Sequence, residues 1–266
     1  MENVNKLLDF IGKTVIVTGG GVGIGYGISY RFAEAGANVV IADKSDAGGT
    51  AEKELSAKGF KVTSIKTDVS AEQDVKNLVD QTIKKHGAID VLVNNAGVYP
   101  SIPVMDMSLA DFDKVLSVNL KGAFLCTKYV SEKMITRKAG GRIINITSID
   151  ALHPSSVGLA HYDASKHGLW GFTKNVALEL APYSIWVNAI APGGILTPGV
   201  QKLQQSIPVP QGVDMQKMME GFLNKIPMRR LGDPDEIGKV ALFLASNMSS
   251  YMTGSQIVVD GGVLLG

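Results

Sequence analysis

Cysteine is almost missing from this sequence: Cys126 is the only one in 266 residues. That excludes an intramolecular disulfide and any cluster of thiolate metal ligands. Cys126 lies in the helical stretch 124–130 and reads as a small core residue rather than a nucleophile. A surplus of either charge is lacking as well, since 26 Lys and Arg face 25 Asp and Glu for a net charge of +1. Nothing electrostatic therefore calls for nucleic acid, an anionic membrane or a polyacidic partner. No apolar run approaches the roughly 20 residues that span a bilayer. Met1–Lys13 also lacks the basic-then-apolar order of a signal peptide, so a soluble cytoplasmic protein is expected. The histidines, His86, His153, His161 and His167, stand in no metal-ligand spacing with Cys, Asp or Glu, and no metal is expected.

Linkers of biased composition and internal repeats are absent too, which leaves one domain over residues 1–266. What the chain does have is alternation. Strand candidates Thr14–Thr18, Asn38–Ala42, Val62–Lys66, Val91–Asn94, Arg142–Thr147, Trp186–Ala191 and Gln256–Val259 are short and rich in β-branched residues. Between them lie helical patterns at about Gly23–Ala35, Ala47–Ala57, Ala71–His86, Leu109–Ile135, Tyr162–Ala181 and Pro234–Ala245. Wholly apolar strand cores such as Val-Val-Ile and Val-Leu-Val imply a sheet covered on both faces. Repeated βα units of this kind predict an α/β fold: a doubly wound parallel sheet of about seven strands with helices on both faces. Residues 193–231 break the alternation, with a short helical candidate at Met215–Leu223, and are expected to form a substrate flap.

Tyr162 and Lys166 stand four residues apart, one turn of helix, so phenol and ammonium share a face. A free tyrosine has a pKa of roughly 10 and is a poor base near neutrality. A neighbouring cation favours the phenolate and is expected to bring it towards the working range. Ser148, fourteen residues before the tyrosine and at a strand end, is placed to hold a reacting oxygen. Tyr-x-x-x-Lys alone is usually just an amphipathic helix; its meaning comes from the rest of the chain.

The first strand runs into Gly19-Gly20-Gly21-Val22-Gly23-Ile24-Gly25, ahead of a helix. Glycine allows a tight turn and close backbone approach, and the helix N-terminus offers free N–H groups to a pyrophosphate. Asp43 follows Gly23 by 20 residues at the end of the second strand. A carboxylate there accepts from an adenosine ribose and repels a 2′-phosphate, so NAD is expected rather than NADP, with Lys44 as a softening cation.

Taken together these features resemble a classical short-chain dehydrogenase/reductase, over essentially the full length and in a single Rossmann-type domain. Gly19, Gly23 and Gly25, with Ile24 among them, match the family's glycine motif. Asp68-Val69 resembles its adenine-side pair, and Asn94-Asn95-Ala96-Gly97 its motif after the fourth strand. Pro192-Gly193 with Ile195 and Thr197 resembles the stretch that grips the nicotinamide amide. Asn119, Ser148, Tyr162 and Lys166 match its catalytic tetrad. The resemblance implies that Tyr162 is the acid/base, that Lys166 lowers its pKa and holds the nicotinamide ribose, and that Ser148 orients the substrate oxygen. Asn119 would hold a water linking Lys166 to solvent. The resemblance also implies a homotetramer joined through the 109–135 and 162–181 helices.

The substrate is expected to be a secondary alcohol, such as a sugar, a polyol or another hydroxylated compound, interconverted with its ketone or lactone. Pocket positions implied by the resemblance are Tyr99 to Ser101, Ile149, Asp150, His153 and Gly194, beside Ser148 and Tyr162. Asp150 is singled out because a carboxylate near the reacting carbon accepts hydrogen bonds from neighbouring hydroxyls. A 3-oxoacyl-(acyl carrier protein) reductase using NADP is the alternative, and a non-catalytic dinucleotide-binding regulator a remote one. His161 is expected to be structural or at a subunit contact, with Asp163 and His167 at the surface or an interface.

Overall fold

The computed structural model describes residues 3–199, 221 and 223–265. Its strands are β1 (Thr14–Thr18), β2 (Asn38–Asp43), β3 (Val62–Lys66), β4 (Val91–Asn94), β5 (Gly141–Ile146), β6 (Ile185–Pro192) and β7 (Gln256–Val259). They form one sheet in the order β3-β2-β1-β4-β5-β6-β7, every neighbouring pair parallel. The period of two along each strand sorts their side chains onto two faces. Val15, Val17, Val39 and Ile41 point into one core and Ile16, Val40, Leu92 and Ile143 into the other.

The helices are α1 (Val4–Leu7), α2 (Gly23–Glu34), α3 (Ala47–Ala57), α4 (Glu72–His86), α5 (Leu109–Leu116), α6 (Gly122–Arg137), α7 (Ala160–Leu180) and α8 (Pro234–Ala245). Ile28 and Phe32 of α2 and Ile237 and Leu244 of α8 fill the first core. Val75 and Leu78 of α4, Val130 and Met134 of α6, and Ala177 of α7 fill the second. Each such aliphatic side chain contributes about 1.5–3 kcal/mol on burial. Local signals set the helix ends. Asp233 and Glu236 cap the start of α8 reciprocally around Pro234, while Gly87 at φ 78° closes α4 after Lys84, Lys85 and His86. The sheet and helices thus form the expected single Rossmann-like domain, and no helix among the described residues is long and apolar enough to cross a membrane.

Two expectations about segments are revised. The helix expected over Leu109–Ile135 is interrupted by a π-turn at Ser117–Lys121, in which one extra residue is accommodated. The cause is Asn119, whose side chain bonds the backbone of Val98 in both directions: Oδ1 accepts from Val98 N at 2.8 Å and Nδ2 donates to Val98 O at 3.0 Å. The short turn α1 was not expected at all. Most of the 193–231 segment, with the helical candidate Met215–Leu223, lies outside the described residues except for 193–199, 221 and 223–231.

Candidate active site

In this strand order the connections from β1 and β4 leave in opposite directions, and a crevice opens beyond their carboxyl ends. Thr18 ties the two ends together: its Oγ1 accepts from Asn95 N and Ala96 N, both at 3.0 Å. Asn95 Nδ2 returns bonds to the carbonyls of Thr18 and Gly19 at 2.9 and 3.0 Å. A cavity of about 740 Å³ fills the crevice. Gly19, Gly23, Ile24, Gly25, Asp43, Asp68, Val69, Asn95, Ala96 and Gly97 line one end of it. Ser148, Asp150, Tyr162, Lys166, Tyr99, Pro192, Gly193, Ile195 and Thr197 line the other.

The first end fits a dinucleotide. Val22 occupies the N-cap of α2 and supplies no side-chain acceptor, so the first-turn amides have no capping partner and face the cavity. Gly23 holds φ at 55°, a left-handed conformation that glycine adopts without strain. At Gly25 a side chain would run into the carbonyl oxygen of Gly19, so helix and turn touch backbone to backbone. The carboxylate of Asp43 accepts from Gly21 N at 3.2 Å and from Ser45 N and Oγ at 2.9 and 2.8 Å. It thus keeps its place beside the turn. The exposed Lys44 is not a loose cation there, because Nζ pairs with Asp68 Oδ2 at 2.6 Å.

The other end is built on β5 and α7. Lys166, 4% exposed, donates from Nζ to the carbonyl of Ile146 at 2.7 Å and lies 5.6 Å from the centre of the Tyr162 ring. Asn119 reaches α7 as well, donating from Nδ2 to Ser165 Oγ at 3.0 Å, while Ser165 donates to the carbonyl of Tyr162 at 2.6 Å. Ser148 donates to Asp150 Oδ2 at 2.8 Å and accepts from Asp150 N at 3.2 Å. Tyr99 meets Tyr162 edge to face, with ring centres 5.9 Å apart.

Electrostatics correct one expectation. Burial raises the pKa of Tyr162, outweighing the lowering influence of the nearby Ser148 hydroxyl, and the charges of Asp150 and Asp163 push it further up. Without a cofactor the phenol is therefore held protonated rather than poised as phenolate. Burial also depresses Lys166 to about 8, against an opposing pull from Asp150. Because the native site releases this proton at about 8 and the unfolded chain only near 10.5, stability rises with pH across that window. Thermal unfolding should accordingly show wild-type protein gaining on Lys166→Met between about pH 8 and pH 9.5; parallel curves would deny the buried ammonium.

Not every expected position reaches the cavity. His153 is exposed and bonded through Nδ1 to the carbonyl of Pro154, while Gly194 accepts from Gly232 N; neither lines the cavity, nor do Ile149, Pro100 and Ser101. These positions sit one step around a turn whose direction a spacing argument does not fix. His161 is fully buried and accepts from Tyr162 N, a structural role. Ser165 was missed, although a small hydroxyl three residues past the tyrosine is a readable signal.

Comparison with known proteins agrees with the geometry. A family model described as enoyl-(acyl carrier protein) reductase matches residues 20–264. Oxidoreductase UcpA of Salmonella typhimurium is 41% identical over 255 residues, covering 96% of this chain and 95% of its own. The 3-oxoacyl-(acyl-carrier-protein) reductase FabG of Thermotoga maritima is 39% identical over 255 residues, covering 96% and 98%. A short-chain type dehydrogenase/reductase from Mycobacterium marinum superposes with a TM-score of 0.91 at 34% identity, covering 99% and 100%. A structure from Beutenbergia cavernae that carries the assignment NAD(P)-dependent gluconate 5-dehydrogenase, with NADP bound at low occupancy, superposes at 0.88 with 30% identity, covering 97% and 99%.

Proposed function

The chain belongs to the short-chain dehydrogenase/reductase family of NAD(P)-dependent oxidoreductases, and from that premise we propose that it uses NAD to interconvert a hydroxylated secondary alcohol with its ketone or lactone. The observation that carries the substrate class is Asp150, whose carboxylate stands in the cavity wall and is bonded to Ser148. A carboxylate in that place accepts from a hydroxyl next to the reacting carbon, and sites built on such bonds discriminate strongly against analogues lacking the hydroxyl.

Bound in the cavity, the nicotinamide supplies the two-electron chemistry. The glycine turn and the N-terminus of α2 hold the pyrophosphate, with Asp43 at the adenosine ribose. Lys166, Pro192, Gly193, Ile195 and Thr197 hold the nicotinamide half. Tyr162 moves the proton: it gives one to the carbonyl oxygen in reduction and takes one from the substrate hydroxyl in oxidation. Its raised pKa keeps the phenol protonated, the state reduction starts from, while making it a weaker acid, and oxidation draws on the charge of Lys166 to favour the phenolate. Ser148 holds the reacting oxygen. Asn119, fixed by Val98 and Ser165, sets the π-turn beside Lys166 and positions the water through which it exchanges protons.

A second reading, reduction of a 3-oxoacyl thioester with NADPH, is favoured by the Thermotoga relative; the description of the matching family model shares the acyl carrier protein with it but not the reaction. One screen separates them: NAD and NADP reduction over sugars, polyols, hydroxy acids and simple secondary alcohols, beside NADH and NADPH oxidation with a 3-oxoacyl thioester. Turnover confined to the thioester would overturn the alcohol reading. The cofactor assignment has its own check. Asp43→Ala should raise the NADP-to-NAD ratio of kcat/KM about tenfold or more, the equivalent of ~1.4 kcal/mol of relieved like-charge repulsion. An unchanged ratio would remove Asp43 from cofactor choice.

A further inference from the structure

Ser148 has one proton, and three groups compete for it. The hydroxyl donates to Asp150 Oδ2 at 2.8 Å, while the Asp150 amide occupies one of its lone pairs from 3.2 Å. The Tyr162 phenol lies close to the same serine. A ketone oxygen, the third claimant, is only an acceptor and needs a donor; an alcohol brings a proton of its own and needs an acceptor. With its proton committed to the carboxylate, Ser148 has a lone pair left to offer, and no hydrogen.

From this geometry we infer that Asp150 is a positioning residue that fixes the direction of the Ser148 hydrogen bond, so that the site binds the alcohol in preference to the ketone. The inference rests on the reaction class given above and deepens it. The overall equilibrium fixes the ratio of the forward and reverse kcat/KM values, so the preference shows in ground-state affinities and in how each kcat/KM divides between kcat and KM. Protonation of Asp150 reverses the pattern: a carboxylic acid donates to Ser148 and frees the serine hydrogen for a carbonyl. The groups facing Asp150 are Ser148 before it, His153 after its turn, and Tyr162, Asp163 and Lys166 from α7. Burial and Asp163 raise its pKa, while Ser148, His153 and Lys166 lower it, and the net direction is upward.

The test compares trans-cyclohexane-1,2-diol with 2-hydroxycyclohexanone, which share a neighbouring hydroxyl and differ at the reacting carbon. Their affinities are measured calorimetrically on protein carrying Tyr162→Phe, which stops turnover, the diol with NADH and the hydroxyketone with NAD. Asp150→Asn should lower the ratio of the ketone's Kd to the diol's about tenfold, the worth of one hydrogen bond. The ratio should rise with pH in the parent protein, and the same substitution should flatten that rise. Equal weakening of both compounds would overturn the inference, since that is what an Asp150 touching only the neighbouring hydroxyl would give. Binding of neither compound to the parent protein would instead count against the hydroxylated-substrate reading. The inference is then decided by carbon-13 titration of the Asp150 carboxyl. Loss of the serine donor in Ser148→Ala should move its midpoint to higher pH, and an unmoved midpoint overturns it.

Discussion

Tyr162→Phe should lower kcat by about 10²–10⁴-fold in both directions, the usual contribution of a positioned acid/base. The substitution removes one oxygen and little else. The ring keeps its edge-to-face contact with Tyr99, and the bonds of Lys166 to Ile146 and of Ser165 to the residue-162 carbonyl do not involve the phenol. NAD affinity, followed by fluorescence, should therefore stay within a few-fold of wild type. That split between chemistry and binding is the diagnostic part. A variant retaining a tenth of wild-type turnover would mean that the substrate proton leaves by another route, and lost NAD binding would mean that the phenol supports the cavity rather than the reaction.

Gly25→Ala should cripple cofactor binding and stability together. Its Cβ would run into the Gly19 carbonyl oxygen and lie 2.6 Å from Asn95 Nδ2, the group that holds that same carbonyl. Backbone cannot rotate aside as a flexible side chain can, so α2 must move away from β1. Overpacking of this kind costs about 1–3 kcal/mol. The displaced helix start also takes its amides away from the pyrophosphate position, and NAD affinity should fall at least about tenfold, the cost of ~1.4 kcal/mol of lost contacts. Gly49→Ala is the matched control. It lies in α3 with nothing within 4 Å of its Cβ, and alanine there should raise stability by up to about 1 kcal/mol. Chemical denaturation of the pair, with NAD titrations, checks both signs. Normal NAD binding by Gly25→Ala would show that the turn is not a phosphate cradle.

How well the sequence anticipated these features depends on the range of the interactions behind them. β1, β3, β4 and β7 lie where their β-branched patterns place them; β1 and β4 are buried on both faces, which leaves little choice of register, while β3 and β7 are partly exposed edge strands. β5 and β6 each begin one residue earlier than expected, at Gly141 and Ile185, where pairing with each other extends the ladder past the apolar run. The interruption of the 109–135 helix was invisible, since it arises from a contact between Asn119 and Val98 that helical periodicity does not encode. Ser148, Tyr162 and Lys166 were legible as a spacing, but the upward displacement of the tyrosine was not, because desolvation belongs to the assembled cavity. Asp150 was legible as a carboxylate near the site. Its bond to the Ser148 hydroxyl depends on the 3₁₀ turn at Ile149–Ala151.

The strand order has a consequence for how the molecule is made. Val15 of β1 meets Val39 on one side and Val91 on the other, so one neighbour follows after a single crossover and the second only after two more units. Until β4 arrives, a nascent β1-β2-β3 sheet presents the bare edge of a strand with an apolar centre, Val15-Ile16-Val17, a ready template for pairing with another chain. Folding is slowest where contacts are most distant along the chain. The seam between β1 and β4 is therefore both the last line of the early sheet to close and the place where aggregation competes with folding.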